Sequence, residues 1–201
     1  MKQILHIISS PRGEDSNSIK LSNAIIEKLK VQYPGSRIET LDLSKNEAPH
    51  LNAEHIGAFY TPAEYLTDAN HKAAAYSNSA IDQLNATDII VIGVPLYNFS
   101  IPSTLKAWID QITRAGKTFK YDENGAEGLI KGKKVYLAIS TGAIYSEGPW
   151  QAADLATPYL KTILSFLGIS DITVFRAEGL NIPGIKENAL ETAISHIKIT
   201  A

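Results

Sequence analysis

Residues 89–94 read Ile-Ile-Val-Ile-Gly-Val, an unbroken apolar run closed by Asp88 before it and Pro95 after it. A run this short, without polar alternation, suits a strand covered on both faces, which is the signature of a parallel sheet enclosed by helices. Gln3 to Ser9 and Lys134 to Ser140 have the same character, and Arg37 to Leu43 and Ile172 to Arg176 supply shorter strands. Helical stripes lie between them. Leu21, Ala24, Ile25 and Leu29 share one face after a cap at Asp15 or Ser16 and before the stop at Pro34-Gly35, and Leu105, Trp108, Ile109 and Ile112 share another after Pro102-Ser103. Trp108 is read as core. Five strands alternating with helices predict an α/β fold with a doubly wound parallel sheet.

The remaining segments are less periodic. A short helix is expected over Ala53 to Phe59, and Thr61-Pro62-Ala63-Glu64 resembles a helix start, predicting a helix from Pro62 to about Asn85. Thr118 to Leu129 contains Asn124-Gly125 and suggests an excursion with a tight turn. Thr157-Pro158 should open a helix to Leu167, and a last helix is expected from Ile185 to Ile199. No repeat or linker divides the 201 residues, so residues 1–201 are expected to form one domain.

Composition excludes several chemistries. The chain has no cysteine, which removes disulfides, thiolate catalysis and thiolate metal sites, so any redox work needs a borrowed cofactor. A formal charge of −2 argues against nucleic acid and against a membrane surface as partner. The opening apolar run is too short for a signal peptide and no later stretch is long enough to span a membrane, so a cytoplasmic location is expected. His6, His50, His55, His71 and His196 show no metal-ligand spacing, and His6 is expected to be packed within its strand.

Ligands of open parallel sheets bind beyond the carboxyl ends of the strands, where the strand order reverses. Three loops leave such ends. The first, Ser9 to Ser18, offers hydroxyls, an amide and a helix amino terminus, a combination that donates to a phosphate. It lacks G-x-G-x-x-G, so a terminal monophosphate suits it better than a dinucleotide, and the alternative is an ordinary turn with a serine cap. The second, Pro95-Leu96-Tyr97-Asn98-Phe99-Ser100-Ile101-Pro102, sets two aromatics around an asparagine between two restrictive prolines, and suits a planar ring. Its alternative is aromatic packing beneath a neighbouring loop. In the third, Ser140-Thr141-Gly142-Ala143, the glycine permits either close backbone approach or a positive φ. The three share one crevice if the sheet has the flavodoxin-like order 2-1-3-4-5.

The stretches Pro95-Leu96-Tyr97-Asn98-Phe99, Pro102-Ser103-Thr104-Leu105-Lys106, Trp108-Ile109-Asp110, Gly116-Lys117-Thr118-Phe119-Lys120-Tyr121 and Gly128-Leu129-Ile130-Lys131-Gly132-Lys133-Lys134 resemble the bacterial FMN-dependent NADH azoreductases. That group is similar to the flavodoxin-like NAD(P)H quinone reductases. The resemblance implies a homodimer with one FMN per shared active site, NADH as electron donor, and a ping-pong cycle that ends on a quinone or an azo bond. By position it implies that Ser10, Ser16, Asn17 and Ser18 hold the phosphate. Leu96, Tyr97, Asn98 and Phe99 would line the isoalloxazine, and Ser140, Thr141, Gly142 and Ala143 its pyrimidine edge. Tyr121 would reach the partner's site, with Ile163 or Phe166 in the acceptor pocket. The third loop departs from the family by lacking an arginine and a second glycine, which bears on nicotinamide affinity or acceptor choice.

FMN would carry the chemistry, and no side chain is expected to act as acid or base. A flavodoxin-type electron carrier is the second reading, disfavoured because such carriers are usually strongly acidic. A receiver-type signalling domain would need clustered acids where Ser9-Ser10 stands.

Overall fold

The computed structural model describes residues 1–123 and 125–199. Seven strands and six α-helices follow one another as β1 (Gln3–Ile8), α1 (Asn17–Gln32), β2 (Arg37–Asp42), α2 (Ala53–Tyr60), α3 (Asp68–Ala86), β3 (Ile89–Pro95), α4 (Ser103–Ile112), β4 (Phe119–Asp122), β5 (Gly125–Gly128), β6 (Lys134–Ser140), α5 (Ala156–Phe166), β7 (Asp171–Ala177) and α6 (Ala189–Ser195). The main sheet has the order β2-β1-β3-β6-β7 with every pairing parallel, which is the expected 2-1-3-4-5. β4 and β5 form a separate antiparallel hairpin. The expected turn at Asn124-Gly125 falls there, and Asn124 itself lies outside the described residues.

Each face of the sheet buries its own core. On one side Leu5, Ile7, Ile90, Ile92 and Leu137 pack with Ile81, Leu84, Leu105, Trp108 and Leu160, which come from α3, α4 and α5. On the other, Ile4, Val91, Tyr136 and Ala138 meet Leu21, Ile25, Leu29 and Ala193 from α1 and α6. All seven residues of β3 are buried, as its unbroken apolar run requires. Gly93 lets α1 lie close to β3, since a Cβ there would stand 3.2 Å from the Ser18 carbonyl oxygen and 3.2 Å from Ser22 Oγ.

Two helix boundaries differ from expectation. The helix expected from Pro62 starts at Asp68, because Thr67 and Asn70 cap each other reciprocally, whereas Thr61 Oγ1 donates back to the Gly57 carbonyl and ends α2. Residues Ala63–Tyr65 make one 3₁₀ turn. The last helix is Ala189–Ser195 rather than Ile185 to Ile199: the chain reverses in turns after Ile182, with Gly184 at φ 83°, before it can propagate.

Candidate functional site

The sheet register sets the site. Pro95 lies opposite Ser140 across β3 and β6, and the next residue continues the ladder as the Leu96 N–H donates to the Ser140 carbonyl at 2.9 Å. Ser9 Oγ donates to the Gly93 carbonyl at 2.7 Å and ties the end of β1 to the same place. All three loops therefore leave the sheet side by side.

In the first loop a 3₁₀ turn (Gly13–Asp15) feeds α1, whose cap is Ser16. Its Oγ accepts the Ile19 N–H at 3.5 Å and lies 3.0 Å from Ser18 Oγ. The first N–H groups of a helix have no intrahelical acceptor, so the start of α1 presents donors and the positive end of its dipole. Ser16, Asn17 and Arg12 line a cavity of about 370 Å³ together with Pro95, Leu96, Tyr97, Ser140, Thr141, Gly142, Leu180 and Asn181. That wall carries one cation and no carboxylate. Ser10 and Ser18 are buried behind it: Ser10 Oγ accepts the Arg12 N–H at 3.3 Å and lies 3.4 Å from Tyr97 Oη.

The second loop is a two-residue turn. The Tyr97 N–H donates to the Ser100 carbonyl and the Ser100 N–H to the Tyr97 carbonyl, both at 3.0 Å, with Asn98 at φ 48° and Phe99 at φ 69°. Two successive positive φ values mark the mirror-image hairpin turn. Asparagine tolerates it; phenylalanine does so at a cost of roughly 1–2 kcal/mol. The Leu155 N–H holds the Phe99 carbonyl at 3.0 Å. Such conformations persist where the surroundings impose them, and here they fix the backbone at the rim of the cavity. On the other side of Tyr97 a second cavity, of about 660 Å³, is bordered by Asn98, Ser100, Pro102, Lys106, Glu47 and Tyr159 among others. Burial and the nearby Asp110 push the Tyr159 phenol up to about 12, so it stays neutral.

The third loop is zipped to the segment after β7. The N–H groups of Gly179, Leu180 and Asn181 donate to the carbonyls of Ala143, Thr141 and Gly142. A Cβ on Gly142 would strike the Asn181 amide, and its φ is not positive, so the glycine serves close approach of these two loops. Further along, Glu178 Oε1 accepts the Tyr145 and Ser146 N–H groups at 2.9 and 3.0 Å. Arg176 bonds Asp154 at 2.7 Å and Thr157 Oγ1 at 2.8 Å, while Asp154 Oδ1 accepts the Thr157 N–H and starts α5. Burial alone would raise the Asp154 carboxyl, but the Thr157 N–H, Arg176 and the Thr157 hydroxyl outweigh it and hold it below the usual range.

The structure thus brings Ser16, Asn17, Leu96, Tyr97, Ser140, Thr141 and Gly142 onto one wall, buries Ser10 and Ser18 beside it, leaves Ala143 half-buried outside the lining, and sets Asn98 and Phe99 on the rim turn. Tyr121, Ile163 and Phe166 stand elsewhere. Tyr121, 70% exposed on β4, meets the Phe119 ring edge-on, and Phe119 packs on Phe166 with centroids 4.6 Å apart. Ile163 packs partly buried against the core, and α5 reaches the larger cavity through Tyr159 instead. Sequence reasoning assigned no role to Arg12, Leu180 or Asn181. Arg12 sits inside the hydroxyl-rich first loop, which was the signal for it; Leu180 and Asn181 lie in the segment after β7 and are brought to the wall by their N–H bonds to the third loop. His6 is packed as expected, with Nε2 2.8 Å from Ser22 Oγ. Among the described residues no cluster of His, Cys, Asp or Glu could hold a metal ion, and no helix is long and apolar enough to cross a membrane.

Residues 2–199 match the family described as flavodoxin-like fold. The chain is 45% identical over 180 residues to an FMN-dependent NADH:quinone oxidoreductase of Herminiimonas arsenicoxydans, covering 90% of this chain and 88% of that one. It is 42% identical to FMN-dependent NADH:quinone oxidoreductase 2 of Pseudomonas fluorescens, covering 96% of each. Among solved structures it resembles the azoreductase of Bacillus anthracis, with a TM-score of 0.90 at 32% identity over 97% of this chain and 96% of that one. It also resembles an FMN-dependent NADH-azoreductase of that organism in complex with FMN, with a TM-score of 0.86 at 30% identity over 96% and 94% of the two chains.

Proposed function

This chain belongs to the family of flavodoxin-like fold, and from that premise we propose that it is an FMN-dependent NADH:quinone oxidoreductase that also cleaves aromatic azo bonds. The observation that carries this reading is a cavity onto which the loops after β1, β3 and β6 all converge. Its chemistry suits FMN: a helix amino terminus with Ser16, Asn17 and one cation, Arg12, for a phosphate monoester, and a wall of Leu96 and Tyr97 for a flat apolar ring. Bound FMN would supply the redox chemistry, accepting a hydride from NADH and delivering two electrons per turn, so that one turn would reduce a quinone and two turns would be needed to cleave an azo bond into two amines.

The protein's part is to bind and orient. Ser16, Asn17 and Arg12 hold the phosphate, with Ser10 and Ser18 fixing the loop from behind. Leu96, Tyr97, Asn98 and Phe99 support the ring, and Ser140, Thr141, Gly142 and Ala143, joined by Asn181, border its polar edge. Backbone donors held there before the reaction favour the negative charge that a reduced ring acquires. The whole chain acts as one FMN-binding domain. It works as a cytoplasmic homodimer with shared sites, to which the exposed Tyr121 of each subunit contributes in the other. Its partners are small molecules rather than nucleic acid or membrane. A near-neutral charge speaks against a pure electron carrier.

The purified protein should be yellow, should bleach on NADH addition under argon, and should recover its colour with a quinone. A colourless protein that takes up no FMN at micromolar concentration refutes the assignment. One that is reduced but passes no electrons to quinones points to a carrier.

A further inference from the structure

The loops after β3 and β6 meet a second time beyond the cavity. The Phe99 ring lies nearly parallel to the Trp150 indole, with centroids 6.4 Å apart and planes inclined by 11°, and Tyr145 tilts against the same indole at 6.5 Å. Phe99 and Trp150 keep 45% and 52% of their surface in water. Packing of the indole does not fix this loop. Glu178 holds the N–H groups of Tyr145 and Ser146, the Ala153 N–H donates to the Trp150 carbonyl at 2.9 Å, and Leu155 is tied to Phe99. Two large aromatic surfaces are therefore left in water on a backbone anchored by other groups. Apolar surface held ready in this way is what a ligand pays least to cover.

We infer that Trp150, set parallel to Phe99, determines specificity for the electron acceptor by stacking on the extended ring system of fused-ring planar acceptors. The inference rests on the FMN reading of the adjoining cavity. An acceptor that reaches the ring supported by Leu96 and Tyr97 and extends past the rim turn meets Phe99 and Trp150 next. A single-ring acceptor is too small to gain much from them. Charge separates acceptor from nicotinamide donor: no lysine or arginine occurs between Lys134 and Lys161, Glu147 lies in the loop and Glu178 bridges to it, and Arg176, the cation that reaches this loop from β7, is engaged by Asp154, Glu178 and Thr157. This rim suits a neutral aromatic and gives nothing to the pyrophosphate of a dinucleotide.

The test follows the two half-reactions of the FMN-loaded protein separately by stopped flow, in the parent, Trp150→Ala and Trp150→Phe. Stacking contributions of aromatic pairs correspond to roughly a two- to tenfold change in rate constant. Trp150→Ala should slow reoxidation by 2-methyl-1,4-naphthoquinone by about that factor, change reoxidation by 1,4-benzoquinone less than about twofold, and leave FMN affinity and reduction by NADH at parental values. Trp150→Phe should recover most of the loss. Equal losses with both quinones, no loss with either, or a loss confined to the NADH step overturns the inference and leaves the FMN reading intact. A parent that binds no FMN, or is reoxidised by neither quinone, overturns both.

Discussion

His6 sits in β1, three residues before the first loop, and its burial should make the fold sensitive to mild acid. Ser22 Oγ gives its one proton to the Ile19 carbonyl at 2.9 Å, so across the 2.8 Å contact the imidazole of His6 donates from Nε2. Burial pulls its pKa from 6.5 down to about 4, against a smaller opposing effect of Asp42. Because the folded value lies below the unfolded one, the unfolded chain takes up the proton first; stability is full above pH 6.5 and is lost as pH falls toward 4. The two values correspond to a loss of about 2 kcal/mol between pH 7 and pH 5, within an eventual total of roughly 3 kcal/mol. Denaturant titrations of the FMN-free protein at both pH values, at equal protein concentration, measure this for the parent and for His6→Gln, which keeps a donor for Ser22 but does not titrate. The gap between parent and variant should change by about 2 kcal/mol. Parallel behaviour of the two proteins would refute the argument, and would mean that the imidazole is charged or hydrated in the fold.

Ser16→Ala should lower the stability of the FMN-free protein by about 1 kcal/mol through loss of the α1 cap, and should also weaken FMN binding by roughly tenfold or more, since a bond to a charged acceptor contributes about 1.5 to 3 kcal/mol. Unchanged FMN affinity beside lowered stability would confine Ser16 to the capping role. Asp154→Ala removes the shorter of the two carboxylate contacts of the partly buried Arg176, which keeps Glu178 at 3.5 Å and Thr157 Oγ1 at 2.8 Å, and it takes away the acceptor for the Thr157 N–H, so a loss of about 1 to 3 kcal/mol is expected in thermal or denaturant unfolding. In the parent the contribution of Asp154 holds at neutral pH and disappears as pH falls through its lowered carboxyl pKa, so the destabilisation by Asp154→Ala should shrink in acid.

Most of the sheet was legible because its strands are buried on both faces and show it: β3 is an unbroken apolar run, and β6 runs over the expected Lys134 to Ser140. The start of α3 depended on competition between neighbouring caps, and that of α6 on the turns around Gly184. Thr61 and Thr67 both precede acidic or amide residues at suitable distances, and only the fold shows that Thr61 is occupied in closing α2. Within the site, the loop residues that follow strands were legible by position. Asn181 was not, because its place on the wall depends on hydrogen bonds between two loops nearly forty residues apart in the chain. The strain at Phe99 was equally hidden, since phenylalanine is a residue that local preference alone would keep out of such a turn.

The position of the site therefore depends on residues that never touch a ligand. Ile4 pairs with Ile89 and Ile89 with Lys134, and these registers carry forward to place Ser9 beside Gly93 and Pro95 beside Ser140. In a sheet with two buried faces, a slip of one residue would exchange the two core sets, moving Ile90 and Ile92 to the face of α1 and Val91 to that of α4. The core shapes forbid that slip, because Gly93 alone allows the close approach of α1 at Ser18 and Ser22. The same glycine that lets the first helix settle on the third strand thereby brings the amino terminus of that helix to the cavity that Leu96 and Tyr97 also line.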